Sequence, residues 1–452
     1  MKPRVLIVGG GISGLSTAWY LAKGGIRATI VEREARLGGV IKTDYVEGCV
    51  AEGGPDSFIT AKPAGKELAE ELGLGGELFG SNDHQRATFI WRGGRLLKLP
   101  DGMTMMVPGK VGPILKTPLL SWPGKIRAGL DLLRRPTGVE RDVSISAFVS
   151  EHYGKEVLDY IAEPMLAGVY GGDPAEMSAL SVVPMFVKWE AKYGSLTRAT
   201  WKELKGGKGP LFTTLKGGMQ SLVDELVKQL QPDVVQGQVE KIEKGYRVRV
   251  NGDWVDADHV VIACRASTVL PDLLPPIPYN SASVTCVGYK RSDVPNELPG
   301  FGFLVPRVER KGISAGTWVS HKFNHRVPDD KVLLRLFTTG GKADVLGEVR
   351  EKLGITAKPL FVIENNWPES MPQYTVGHAE KVKIIEGMVQ DLPGLHLVGN
   401  AYYGIGVPDC IKMGKQVAAR IAESSLKPAK LFAASPVITS RDDACARHGQ
   451  LR

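Results

Sequence analysis

The sequence predicts an α/β chain: a nucleotide-binding parallel sheet assembled from separated segments, an antiparallel sheet between them, and a helical insertion. Three observations carry this. An apolar run, Val5-Leu6-Ile7-Val8, leads directly into glycines at 9, 10, 11 and 14. A second strand, glycine-loop and helix pattern stands near the other end, over residues 395–424. Between them, apolar residues alternate with a period of two in 88–99 and 283–337, as half-buried strands do.

The first strand is apolar throughout, as a buried parallel strand is. Gly9, Gly11 and Gly14 then form a Gly-x-Gly-x-x-Gly turn, with Gly10, Ile12 and Ser13 between them. Gly9 permits the tight turn, Gly11 lets a pyrophosphate approach the backbone, and Gly14 lets the helix sit close to the strand. The helix N-terminus offers free N–H groups to the anion. A helix is expected over 15–23, stopped by Gly24-Gly25, then a strand over 28–31 ending in Glu32. An acid about twenty residues beyond the glycines can bind ribose hydroxyls, which makes the unit Rossmann-like. Arg33 and Arg36 precede a second doublet, Gly38-Gly39. That doublet suits a loop passing over a pyrophosphate, with an arginine beside the charge. A chain using only a nicotinamide dinucleotide does not need it; an FAD lying across the sheet does.

Further along, Gly53, Gly54 and Pro55 set a turn that presents Asp56 and Ser57. An amphipathic helix is expected over 63–74. Gly93-Gly94 joins two strands into a hairpin, 88–91 and 95–99, assigned to the antiparallel sheet. Residues 100–211 change to helices and loops. Apolar Met103, Met105, Ile114, Leu119 and Trp122 alternate there with Lys110, Lys116, Lys125 and Arg127. Such a stretch suits a membrane interface or a helical cap on the core. A short helix over 221–230 precedes strands near 234–235, 239–242 and 246–250, with Asn251-Gly252 as a hairpin turn. A buried strand over 258–264 returns the chain to the nucleotide-binding sheet and sets Val239 beside the adenine. Strands over 283–289, 302–306, 316–320 and 332–337 complete the antiparallel sheet. A final strand over 395–400 and a glycine loop lead into a helix over 410–424, whose N-terminus would face charge on a flavin edge. A tail follows from about residue 426.

These elements divide the chain as follows. Nucleotide-binding parts occupy 1–85, 212–275 and 379–425. The substrate domain takes 86–99 and 276–378, and the helical insertion 100–211. The tail takes 426–452.

The chain has 452 residues, 43% hydrophobic and 23% charged, with net charge +8. That is ordinary for a globular protein of two or three domains. The basic balance suits an anionic membrane or a polycarboxylate substrate. No basic block interleaved with aromatics suggests nucleic acid. The five cysteines are scattered, without metal or redox spacing, which fits a reduced compartment. His321 and His325 stand four apart in loop-like sequence with no third ligand nearby, so no metal is expected. The strand at the very start leaves no room for a signal peptide, and no apolar run reaches membrane-spanning length. A cytoplasmic protein is expected, with peripheral contact on the inner face of a membrane and a homodimer both left open.

The chain resembles the protoporphyrinogen and coproporphyrinogen oxidases, FAD enzymes of the flavin amine oxidase superfamily that act late in haem synthesis. The resemblance runs over residues 4–424. Its ends are shared with the wider superfamily, and its middle is more specific. Ala167-Gly168-Val169-Tyr170-Gly171-Gly172-Asp173-Pro174 with Met177-Ser178, Lys192-Tyr193-Gly194-Ser195-Leu196 and Leu215-Lys216-Gly217-Gly218-Met219 carry it. So do Gly54-Pro55-Asp56-Ser57 and Val407-Pro408-Asp409-Cys410. The resemblance implies FAD contacts at residues 9–14, at Glu32 and Arg33, and at Gly38 and Gly39. It adds Gly54, Pro55, Asp56, Ser57, Val239, Trp367, Ile405, Gly406 and Val407. Two positions depart from the pattern. Val40 stands where a basic residue often follows the glycine doublet, with Lys42 two further on. Thr88 stands where a substrate-anchoring arginine is usual, so Arg86, Arg95 and Lys98 become the candidate anchors.

The resemblance implies a flavoprotein oxidase that takes six electrons from a porphyrinogen in three rounds, with molecular oxygen as acceptor. The flavin carries the redox step, so no catalytic acid or base is named. Phe301, Phe303, Leu304 and residues 333–337 would line an apolar slot. Both substrates stay open, the apolar slot leaning to protoporphyrinogen over the tetrapropionate coproporphyrinogen. An amine oxidase or desaturase, with Tyr402 and Tyr403 as an aromatic cage, is the alternative within the superfamily. A redox-silent FAD-binding scaffold is the alternative outside enzymology.

Overall fold

The computed structural model describes residues 2–426, apart from 205–208, 244, 272, 295–299 and 339–342, and without the side chains of 425 and 426. The tail expected from residue 426 lies almost wholly outside the described residues.

Val5–Val8 is buried along its length and forms the centre of a five-stranded parallel sheet. The strand order is Asp233–Gln236, Ala28–Glu32, Val5–Val8, His259–Ile262, Leu395–Leu397. Val5 pairs with Ala28 on one side and His259 on the other. The sheet is therefore stitched from three parts of the chain. Residues 233–236, where a strand is expected near 234–235, add a parallel edge beside Ala28–Glu32. Their Val234-Val235 core satisfies either arrangement. Val239–Glu243, Arg247–Val250 and Asp253–Asp256 form a separate antiparallel meander.

Helix Ile12–Lys23 begins three residues before the expected start, directly on Gly11, with no side-chain cap. It packs against helix Val407–Leu426, which also begins three residues early. Gly414 makes the close approach possible: a Cβ there would stand 2.9 Å from Thr17 Oγ1 and closer still to Ser16 Oγ.

The second sheet has seven strands. In order they are Phe361–Pro372, Tyr279–Lys290, Lys331–Thr338, Ile313–Trp318, Gly302–Leu304, Thr88–Arg92 and Arg95–Lys98. All pairs are antiparallel except Gly302–Leu304 with Thr88–Arg92. Phe361–Pro372 is an addition to the expected strands. It is polar and holds Pro368, and it lies at the sheet edge, where a missing N–H is tolerated.

Residues 111–203 are mostly helical and enclose their own apolar core around Phe148, Ile161, Leu166, Phe186 and Leu196. One helical run there changes to π geometry at Leu158–Ala162, just before Pro164. Pro164 lacks an N–H and crowds the turn before it, which accounts for the widened turn. Among the described residues, no helix is long and apolar enough to cross a membrane.

Candidate functional site

Two glycine turns face each other at the C-terminal end of the parallel sheet. Gly9 has φ +110°, a value that favours glycine, and its N–H donates to Val31 O at 2.8 Å. Gly38 N donates to Gly10 O at 2.8 Å, and Gly11 bridges to Gly38. Gly14 is required by packing, because a Cβ would press into Gly9 O. Gly11 is not: the nearest atom to a Cβ there is Gly39 Cα at 4.0 Å. Space, not packing, is what Gly11 preserves. Ile12 and Ser13 form the buried first turn of the helix. This cradle, at a helix N-terminus with free N–H groups, fits a pyrophosphate.

Glu32 ends its strand with its carboxylate held by two backbone donors, Gly10 N at 2.6 Å and Glu34 N at 2.9 Å. Arg33 points outward to Glu34 at 3.2 Å. Arg36, expected beside negative charge, instead ties the Gly38-Gly39 loop together, donating to the carbonyls of Leu37, Gly39 and Ile41 and to Gln220. Val239 is buried at the start of the meander, a few residues after Gln236, which pairs with Glu32.

The Gly53-Gly54-Pro55-Asp56-Ser57 loop lies next to this cradle. Gly53 N donates to Lys42 O at 2.8 Å, and a Cβ on Gly54 would collide with Val40 O. From the other side the seven-stranded sheet grips the loop. Trp367 Nε1 donates to Gly53 O at 2.7 Å. Arg335 donates to Glu52 O and Gly54 O and meets Asp56 at 2.9 Å. Lys322 meets Asp56 at 2.9 Å, and Ser57 Oγ donates to it at 2.7 Å. Burial pushes the Asp56 carboxyl up, but Lys322 and Arg335 outweigh it and hold the group well below the usual carboxylate range. Lys42, two places after the expected basic position, turns away from the glycine cradle to Asn365 Oδ1 at 2.8 Å.

Sheet register shows which face this is. Thr88, Gly302, Thr317, Arg335 and Cys286 are partners in one row, so they share a face. The next row on that face is Ile90, Leu304, Ala315, Phe337, Val284 and Asn365. The opposite face is closed by helix Val345–Leu353 over Trp91, Phe303, Trp318, Leu334 and Leu336. Of the expected slot residues, Phe303, Leu334 and Leu336 therefore belong to that closed core. Leu304 and Phe337 lie on the loop's face. Helix Glu163–Tyr170 adjoins it too: a Cβ on Gly168 would stand 3.6 Å from Leu304.

The three candidate anchors fall apart. Arg86 is exposed, 3.8 Å from Asp83, two residues before Thr88 in the Arg335 row. Arg95 is exposed beside the hairpin turn, paired with Arg92. Lys98 pairs with Phe89 on the opposite face and binds Asp101 at 2.8 Å.

From the C-terminal part come Ile405, which packs on the helical core, Gly406, and Val407, which starts the last helix. Tyr374 fixes this loop: its hydroxyl donates to Asn400 O at 2.7 Å and accepts from Gly404 N at 2.9 Å. Tyr402 is buried in the nucleotide-domain core while Tyr403 is 61% exposed, so the two do not form a cage. His321 sits on a short helical turn, and the described residues hold no cluster of three metal-capable side chains. The sequence reading missed Arg335, Lys322, Arg326, Asn365 and Tyr374. Only Arg335 left a signal, as a lone charge inside the apolar run 332–337.

A mononucleotide cradle, a second sheet clasping an adjacent glycine loop and a terminal helix aimed beside them define a flavin-dependent oxidoreductase. The sequence profile of the flavin containing amine oxidoreductases matches residues 12–422, and the chain belongs to that family. It is 33% identical to the coproporphyrinogen III oxidase of Bacillus subtilis (strain 168), over 92% of this chain and 97% of that one. To the protoporphyrinogen oxidase of Bos taurus it is 29% identical, over 93% and 98%. The crystal structure of a protoporphyrinogen oxidase candidate from Exiguobacterium sp. 255-15 superposes with a TM-score of 0.85 at 29% identity, covering 94% of this chain and 99% of that one.

Proposed function

We propose that the chain binds FAD and oxidises coproporphyrinogen III to the porphyrin, passing six electrons to molecular oxygen in three rounds. The observation that carries this is the convergence of four pieces of chain. They are the cradle at residues 9–14, the Gly38-Gly39 loop, the 53–57 loop and the 405–407 helix start. Gly9 to Gly14 and Gly39 would hold the pyrophosphate, Glu32 the ribose, and Val239 the adenine edge. Gly54 to Ser57, Trp367 and Ile405 to Val407 would border the ring. A bound FAD supplies the hydride acceptor. The chain's residues position the macrocycle on the open sheet face, with Leu304 and Phe337 against its apolar surface and helix Glu163–Tyr170 excluding water.

The relatives favour coproporphyrinogen: those at 33% and 30% identity bear that name. The apolar argument for protoporphyrinogen weakens, because three of its residues face the closed core. Arg86 is the best placed of the candidate anchors for a propionate. Purified protein should show flavin absorbance. With each porphyrinogen added, porphyrin fluorescence should rise above autoxidation, fastest with coproporphyrinogen III. Equal or faster turnover of protoporphyrinogen IX reverses the substrate choice. No rise with either ends the reading.

A further inference from the structure

Five charged side chains, three buried and two largely so, gather where the 52–57 loop meets the seven-stranded sheet. Arg326 and Glu52 pair at 2.6 Å, each 1% exposed. Lys322 and Arg335 each meet Asp56 at 2.9 Å, with side-chain exposures of 12%, 3% and 13%. Burial pushes the Lys322 ammonium down and Asp56 beside it works the other way; with Lys322 protonated, three cations against two carboxylates leave one positive charge in excess. Neighbours do not cancel it. Lys42 and Asp44 pair with each other at 3.2 Å. Burial pushes the Cys286 thiol up to about 11, so it stays neutral. Among the described residues, no further carboxylate comes within ion-pair distance of Lys322, Arg326 or Arg335. Arg326 Nε is also buried without a hydrogen-bond partner. An unbalanced cation in a low-dielectric setting is costly until an anion completes it.

We propose that this excess positive charge, held behind the 53–57 loop by Lys322, Arg335 and Asp56, stabilises the negative charge that the flavin ring gains on reduction. The inference rests on the FAD reading above. A hydride brings two electrons and one proton to a neutral ring and leaves it with one negative charge. The porphyrinogen that lost the hydride releases a proton to water. One unit of buried positive charge matches one unit gained. Lys322, Arg335 and Asp56 are positioning residues: their charge reaches the ring across the loop whose carbonyls Arg335 holds.

Sulfite tests this without turnover, because its addition to an oxidised flavin also leaves the ring negative. In the full-length holoprotein, Lys322→Met removes the excess, and the sulfite Kd should rise about tenfold. That is the order of effect of one unit charge acting across a loop at an effective dielectric near 20. Asp56→Asn doubles the excess, and the Kd should fall by a similar factor. The flavin reduction potential should follow, down in the first variant and up in the second. Lys322→Arg should restore wild-type values. Should Asp56→Asn fail to fold, Glu52→Gln adds the same charge at the neighbouring pair. Shifts of the same sign in both variants indicate structural loosening and overturn the proposal. Unchanged sulfite binding with a raised KM assigns the cation to a substrate carboxylate and also overturns it. A wild-type protein without flavin removes this proposal together with the functional reading. A flavin-bearing, porphyrinogen-oxidising wild type whose variants do not diverge removes this proposal alone.

Discussion

Gly11 and Gly14 stand three residues apart in one motif, yet an added methyl group would meet different surroundings. At Gly14 it enters the Gly9 carbonyl, so Gly14→Ala should destabilise the fold by about 1–3 kcal/mol, read as a lower Tm. At Gly11 it meets only Gly39 Cα, at an unstrained 4.0 Å. Gly11→Ala should keep the Tm of the flavin-free protein and lose flavin affinity by at least about tenfold, ~1.4 kcal/mol, read by titration. Asp56 gives a pH signature. Its folded carboxyl lies below its unfolded value, so its stabilisation is complete above about pH 4. It fades as pH falls through the folded value. Asp56→Asn should therefore cost about 3–5 kcal/mol in urea unfolding at pH 7, and clearly less at pH 3. The glycines, Glu32 and the Asp56 loop are legible in sequence because a short local motif announces each. Lys322, Arg326 and Asn365 are not. Each acquires its role only from a partner hundreds of residues away, such as Glu52 for Arg326.

Elements with strong periodicity are legible, and their ends are not. Both glycine-loop helices start three residues early, because Ile12-Ser13-Gly14 and Val407-Pro408-Asp409, which look like loop in sequence, already carry helical geometry. The edge strand Phe361–Pro372 is hidden by its composition. One face meets solvent, and the polar Asn365 and Asn366 with Pro368 read as a loop. The pairing of helices Ile12–Lys23 and Val407–Leu426 depends on Gly414, a residue with no local signature. Gly414→Val should push the helices apart and lower stability by about 1–3 kcal/mol in thermal unfolding, since Ser16 and Thr17 already fill the space. Flavin retention should drop with it, because both helix starts belong to the candidate site.

Across the whole molecule, acid tolerance should hinge on the parallel sheet. His259 and His396 meet at 3.1 Å between ring nitrogens on neighbouring strands. Burial, with His259 and Arg420 nearby, holds His396 down to about 3. The unfolded chain takes up that proton near pH 6.5, so stability falls as pH drops from about 6.5 towards 3. His396→Gln should flatten this limb, recovering a few kcal/mol relative to wild type at pH 4 in denaturant unfolding. The sheet's order also bears on how the chain is made. The central strand, Val5–Val8, is synthesised long before its partner His259–Ile262, and the far edge strand, Leu395–Leu397, later still. At about 5–20 residues per second, the early strands wait tens of seconds with one side unpaired. The nascent protein is therefore exposed to chaperones, and to its own aggregation, until Leu395–Leu397 has been made and the sheet can close.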